Sequence, residues 1–239
     1  LSTIAHVTIN VTDVNEPSEF KVLADLYEVK ENTDVDTKFG DKIVVYDEDA
    51  ADVSTTTKPV LTIAIKDNGT CTAGKNCAQD LFNVVIVKNT DANHETQFQF
   101  VVKSDLNYEQ LYKATAKDDI FDVTLTVTDK GGNKVSQDTK IRVIDENEEP
   151  EFTGEPYKFT VSENVKTETL LGTVEASDPD IYNTNYGTLY FSLDATYDDA
   201  ALFDIDRKTG ELYVVNNANL NYEEKSEYKF KVIATDKTT

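Results

Sequence analysis

Asp145-Glu146-Asn147-Glu148-Glu149-Pro150-Glu151-Phe152 stands between two strand-rich segments and carries five acidic side chains and one Asn ahead of its Phe. Pro150 fixes φ and lacks a backbone donor, so neither a helix nor a central strand runs through it. Carboxylates crowded in this way repel one another unless something positive lies among them. A rigid joint of such residues requires a hard cation, whose natural ligands are carboxylate and carbonyl oxygens. The same joint recurs at the front of the chain as Asp13-Val14-Asn15-Glu16-Pro17, and Asp13 to Phe20 spans seven positions, as does Asp145 to Phe152.

Outward from the two joints, the segments that follow them match in order. Glu31-Asn32 is answered by Glu163-Asn164, each Glu 18 positions after its joint Asp. Asp47-Glu48-Asp49 is answered by Asp178-Pro179-Asp180, and Leu106-Asn107-Tyr108-Glu109 by Leu220-Asn221-Tyr222-Glu223. Leu125 to Asp129 is answered by Val232 to Asp236. An internal repeat outranks any single motif as a guide to architecture. The first copy is the longer, with 60 positions from Asp49 to Glu109 against 43 from Asp180 to Glu223. The excess centres on residues 50–80 and reads as a decorated surface loop.

Within each copy the apolar residues alternate. Ile4, Val7, Ile9 and Val11 predict a half-buried strand over the first twelve residues, and Leu61, Ile63 and Ile65 another. Further strands are predicted at 42–46, 81–87, 98–102, 121–127 and 139–144, with polar turns at Leu106–Glu109 and Gly131–Asn133. Short alternating strands with no helical period imply an all-β fold of antiparallel sandwiches.

Composition narrows the classes. The 239 residues suit about two domains, and 45 acidic against 23 basic side chains give a formal charge of -22. That charge argues against nucleic acid and against anionic membrane surfaces, and it suits a divalent cation or a basic partner. With 39% apolar residues, 12 Tyr and 11 Phe, the chain can bury a core, which a disordered acidic chain cannot. No apolar run reaches the length of a membrane span. Cys71 and Cys77 bracket a turn-rich loop, and a local disulfide there would place the chain in an oxidising, extracellular compartment. Asn10-Val11-Thr12 and Asn68-Gly69-Thr70 fit the N-glycosylation pattern.

These matched positions resemble the extracellular cadherin repeat over nearly the whole chain. The second copy adds Phe203-Asp204-Ile205-Asp206 and Thr209-Gly210-Glu211-Leu212, which look like the family's Phe-x-Ile-Asp…Thr-Gly-x-Leu hairpin. The resemblance implies tandem immunoglobulin-like Greek-key sandwiches joined by calcium linkers. Residues 1–12 are then the final strand of a preceding repeat, and 13–17 a linker. Residues 18–144 form a complete repeat with an inserted Cys loop, 145–150 a second linker, and 151–239 a second repeat without its last strand. Implied ligands at the central joint are Glu31 and Glu109 from the first copy, with Asp145, Asn147 and Glu148 from the linker. Backbone oxygens of Glu146 and Glu149 join them, as do Asp178, Asp180 and Asp236 of the second copy and a backbone oxygen near Asn185. The front joint retains Asp13, Asn15, Glu16, Asp47, Asp49 and Asp129. Asp180 is implied as a bridge between two ions, whereas Asp206 belongs to the hairpin.

The sequence departs from the family pattern in places. Asn107 and Asn221 replace the usual Asp, both linkers are one residue short, and Glu148 stands for an Asp. Two or three ions at the centre and one or two at the front are expected.

The resemblance implies a calcium-rigidified extracellular adhesion or structural module, with other cadherin-like repeats as head-to-tail partners and no membrane contact of its own. The alternative is a carbohydrate-binding or surface-display sandwich, for which Tyr182, Tyr186 and Tyr197 are the candidate platform. Two His residues and no nucleophile, phosphate-loop or metalloprotease motif argue against an enzyme. Placing Leu1 after Thr239 puts Asp13 16 positions beyond Asp236, the spacing from Asp129 to Asp145. The first twelve residues are therefore expected to complete the second domain of a neighbouring unit, in a continuous polypeptide or by strand donation, in a filament; the alternative is an arbitrary cut in a long repeat array.

Overall fold

The alternating segments after the front joint become two facing four-stranded sheets in a computed structural model. It describes the chain apart from residues 1, 3, 51–60, 69–76, 90–92, 115–118, 167, 182–185, 216–219 and 237–239, and apart from the side chains of 112–114. The chain divides into two compact units, Leu1–Glu146 and Asn147–Thr239.

In the first unit, β1 (Glu19–Val22), β3 (Lys38–Tyr46), β6 (Glu95–Val102) and β5 (Phe82–Lys88) form one sheet in the order β1-β3-β6-β5. The other runs β2-β8-β7-β4, from β2 (Leu26–Lys30), β8 (Lys134–Ile144), β7 (Ile120–Thr128) and β4 (Thr62–Asp67). Period-two side chains meet between the sheets, where Ile43, Val45, Phe98, Phe100, Leu125 and Ile141 are wholly buried. Edge-to-face contacts join Tyr27 to Phe100 and Phe39 to Phe82.

Three features differ from the sequence reading. The β2–β8 pair is parallel, with Tyr27 opposite Ile141 and Val29 opposite Val143, while the other ladders are antiparallel. Two short helices occur, α1 (Ala78–Leu81) and α2 (Tyr108–Ala114). The second starts where a polar turn is predicted, because Asn107 Oδ1 accepts the Gln110 N–H at 2.8 Å and caps it. Last, the described residues among the first twelve are not in a strand. Ile4, Val7, Ile9 and Val11 are 81–91% exposed, because no sheet edge lies against them to convert alternation into a ladder.

The second unit is built from smaller sheets. β9 (Glu151–Thr153) pairs with β11 (Glu175–Ser177), and β12 (Tyr190–Leu193) with β15 (Val232–Thr235). β10 (Leu170–Thr173), β14 (Glu211–Val214) and β13 (Phe203–Ile205) form the third, and a 3-10 turn covers Asp198–Leu202. The β13–β14 hairpin is turned by Asp206, whose Oδ1 accepts the N–H groups of Lys208 and Thr209, each at 2.8 Å. Gly210 follows at φ +72, with a Cβ position 2.2 Å from the Val174 carbonyl oxygen, so no larger residue fits. Phe191, Phe203, Ile205, Leu212, Val214 and Leu220 form the buried core. Phe159 to Asn164, counterpart of the β2 region, is not in a ladder. β2 owes its ladder to β8, and no counterpart of β8 follows β15 among the described residues.

Candidate metal centre

Each unit carries a carboxylate cage at its joint, and the two are built by the same rules. In the first unit, Asp47 Oδ1 accepts the Asp49 N–H at 3.1 Å, and Asp49 Oδ2 accepts the Glu16 N–H at 2.6 Å. Asn15 Nδ2 donates to Asp129 Oδ2 at 2.8 Å, and the Asn133 N–H donates to Asp129 Oδ1 at 2.8 Å. The second unit repeats this. Asp178 Oδ1 accepts the Asp180 N–H at 2.8 Å, and Asp180 Oδ2 accepts the Glu148 N–H at 2.9 Å. Asn147 Nδ2 donates to Asp236 Oδ2 in turn. The linker Asn and the backbone N–H of the following Glu thus orient two carboxylates in both copies, and an Asp-x-Asp turn orients the third. Gly131 lies against Asn15, its Cβ position 2.6 Å from the Asn15 side chain, so the β7–β8 turn leaves room for the linker.

A further group gathers at the far end of the first unit. Glu31 is 1% exposed, and its two oxygens accept the Tyr108 N–H at 2.7 Å and the Glu146 N–H at 2.8 Å. The first turn of α2 sets Glu109 beside it. Carboxylate oxygens of Glu31, Glu109 and Asp145 lie within 4.8 Å of one another. Glu163, the counterpart of Glu31, likewise accepts the Tyr222 N–H at 3.0 Å. Asn32 and Asn164 follow these two residues at φ 55 and 59, the left-handed conformation that Asn tolerates.

The electrostatics differ from group to group. Burial pushes the Asp178 carboxyl up; the Asp180 N–H offsets part of this, while Asp236 and Glu148 push it further up. Burial also acts on Asp129, but hydrogen bonds from Asn15, Asn133 and Gly132 outweigh it and hold that carboxyl below its ordinary value. Glu16 is pushed up by burial and then by Asp49, Glu48 and Asp13.

Asp178 is 4% exposed, yet among the described residues its Oδ2 has no hydrogen-bond partner, and neither does the buried Oδ1 of Asn147. A bare buried carboxylate oxygen is costly, and two uncompensated oxygen acceptors beside three carboxylates match the donor set of a hard cation. The residues therefore fit calcium. Asp13, Asn15, Glu16 and Glu149 are exposed, Glu146 and Glu148 half-buried, and Asn185 lies outside the described residues. The residue that the sequence reading missed is Ser18, whose hydroxyl donates to Asp47 Oδ2 at 2.6 Å in a buried contact.

Two sandwich-type units in sequence, each with an acidic linker, define a tandem-repeat β protein. The family model of the cadherin domain matches residues 157–239. Human protocadherin alpha-11 is 27% identical over 99% of this chain and 22% of its own length. Chicken cadherin-related family member 1 is 32% identical over 50% of this chain and 13% of its own. The crystal structure of protocadherin gamma C5 EC1-3 superposes with a TM-score of 0.62 at 18% identity, over 94% of this chain and 65% of that one. Residues 157–239 thus match a cadherin domain, and the chain is similar to cadherin-type repeat proteins along nearly its whole length. It spans about a fifth of the length of the protocadherin alpha relatives it matches.

Proposed function

We propose that the chain is an extracellular adhesion or structural module whose two repeats are rigidified by calcium at residues 145–150, with a second calcium linker at 13–17. The observation that carries this is the buried Oδ2 of Asp178, without a hydrogen-bond partner among the described residues, in a cage where a donor aims Asp180 Oδ2 and another aims Asp236 Oδ2. Asp178, Asp180, Asp236, Asn147 and Glu148 would hold the cation from one side of the linker. Glu31, Glu109 and Asp145 would hold it from the other, with carbonyl oxygens of Glu146, Glu149 and the segment around Asn185. Calcium would supply positive charge where like charges crowd, and six to eight oxygen ligands would remove the freedom of the linker. The domain boundaries that follow are repeats at 18–144 and 151–239, with residues 1–12 as the last strand of another repeat. In support, Ile9 and Val11 align with Ile141 and Val143 of β8, which are 0% and 1% exposed in the first unit.

Partners of this reading are further cadherin-like repeats in head-to-tail order at a cell surface, with the filament as its extended form. A Cys71–Cys77 bridge belongs to the same reading: Cys77 is buried at the start of α1, and Cys71 lies outside the described residues. No catalysis is proposed. The carbohydrate-binding alternative gains nothing from the fold, since Tyr182 lies outside the described residues and the Tyr197 ring is capped by Lys231 Nζ at 5.7 Å.

For extracellular sites with dissociation constants of about 0.1–1 mM, calcium at roughly 1 mM stabilises by about 0.4–1.4 kcal/mol per site. Melting curves and small-angle scattering in 1 mM calcium and in excess chelator test the reading. Calcium should raise the Tm and narrow the distribution of intramolecular distances; identical curves in both buffers would reject it.

A further inference from the structure

The two joints share the Asn, Glu and Asp-x-Asp donors described above and part at one linker position. Counting from the joint Asp, the sixth residue is Ser18 in the front linker and Pro150 in the central one. Asp47 and Asp178 are equivalent, 2% and 4% exposed, and the Oδ1 of each accepts the N–H of the Asp two residues on. They part at Oδ2. Asp47 Oδ2 accepts the Ser18 hydroxyl at 2.6 Å, whereas Asp178 Oδ2 has no partner among the described residues. Pro150 carries neither hydroxyl nor N–H and can satisfy nothing there.

Resting on the calcium reading above, we infer that Ser18 acts as a built-in substitute for the cation at the front joint, and that Pro150 withholds that substitute from the central one. A hydroxyl donated to Asp47 Oδ2 neutralises the desolvation penalty of the buried oxygen without metal. It also draws charge from the oxygen that a cation would coordinate. The front cage is therefore preformed without calcium and binds it weakly through Asp47. At Asp178 nothing offsets burial, and Glu148 and Asp236 add like charge, so a cation there gains the full compensation. Ser18 is a positioning residue in this scheme: it sets how much the front joint depends on calcium.

Site-resolved calcium titration of the 239-residue protein by amide NMR tests this, with Gly131 and Gly132 reporting on the front cage and Gly187, packed against the Asp180 carbonyl, on the central one. Ser18→Ala should tighten calcium at the front site about 2- to 12-fold, the equivalent of one neutral hydrogen bond of about 0.5–1.5 kcal/mol, and leave the Gly187 titration unchanged. Ser18→Thr, which keeps the hydroxyl, should retain the original affinity. In chelator the alanine variant should melt lower than the parent protein, with most of the loss recovered in calcium. An alanine variant folded only in calcium supports the substitution of cation for hydroxyl. Equal front-site affinity in the parent and Ser18→Ala proteins overturns the inference while leaving calcium binding intact, and so does a variant unfolded in both buffers. Absence of any calcium response at Gly187 and Gly131 alike overturns the calcium reading itself and this inference with it.

Discussion

β7 and β15 are the same strand in two settings. β7 has β4 on one edge and β8 on the other, and Val123, Leu125 and Val127 are wholly buried. β15 has β12 on one edge and, among the described residues, no partner on the other; Val232 and Ala234 are only half-buried and Ile233 is 42% exposed. The cores follow suit: among the described residues, 21 buried apolar residues form the first cluster and six the second, where Phe152, Val161, Phe230 and Val232 remain partly open. Similar signatures thus yield different burial, because β8 sits between β2 and β7 and holds one whole sheet of the first sandwich together. β8 pairs β7 antiparallel and β2 parallel, so its presence also decides whether the Tyr27–Val29 stretch is a strand.

The largest effect should come from supplying that strand to the second unit. Appending Leu1–Thr12 after Thr239 restores the spacing from Asp236 to an Asp13-type joint and places Ile9 and Val11 where Ile141 and Val143 stand in the first unit. Burying two such side chains contributes roughly 3–6 kcal/mol before entropy costs. The second unit should then melt higher, and the β15 amides should gain protection from hydrogen exchange. Unaltered exchange at Val232–Thr235 would show that the open core has another cause.

Next in size, Ile141→Ala should destabilise the first unit by about 2–5 kcal/mol, whereas Ile9→Ala in the same chain should leave its melting within about 0.5 kcal/mol. Ile141 is wholly buried and Ile9 is 81% exposed, although each stands four positions before a joint Asp with a Val two positions on. Comparable losses from both substitutions would mean that residues 4–12 pack in solution, and the comparison would fail.

These pairs also mark how far the sequence could be read. Alternation placed β3, β4, β7 and β8, because a half-buried strand needs nothing beyond its own pattern to be recognised. The repeat spacing placed the joints, and the Asn15–Asp129 and Asn147–Asp236 contacts repeat as the sequence does. Alternation does not say whether a partner edge exists, which is why residues 4–12 read as a strand and stand exposed. The α2 helix was missed although Asn107-Tyr108-Glu109-Gln110 carries an N-cap and a Gln at the third helical position, a recognised helix start. Ser18 carried no such signal. Its partner lies 29 positions away, and an isolated Ser after Pro reads as a turn residue.

The smallest effect concerns a contact that helps hold the second unit together. Asp199, in the 3-10 turn, accepts Lys225 Nζ at 2.5 Å and the Lys229 N–H at 2.7 Å, tying the approach to β15 onto that turn. The Lys225 ammonium and the Lys229 N–H hold the Asp199 carboxyl below its ordinary value, against a smaller upward push from burial. A carboxyl depressed in the folded state stabilises above its unfolded pKa of about 3.9, and the contribution is lost as pH falls through the folded value. The second unit should therefore lose stability on the acid side, below the ordinary Asp range. Asp199→Asn should flatten that part of its pH–Tm curve while leaving the first unit's curve in place. At neutral pH the variant should melt slightly lower, since the amide gives up the ion pair but keeps an oxygen for the Lys229 N–H. Thermal melts from pH 2.5 to 7, read through amide signals of each unit, decide it: an unchanged acid slope in the variant would mean that the Lys225 and Lys229 contacts hold nothing.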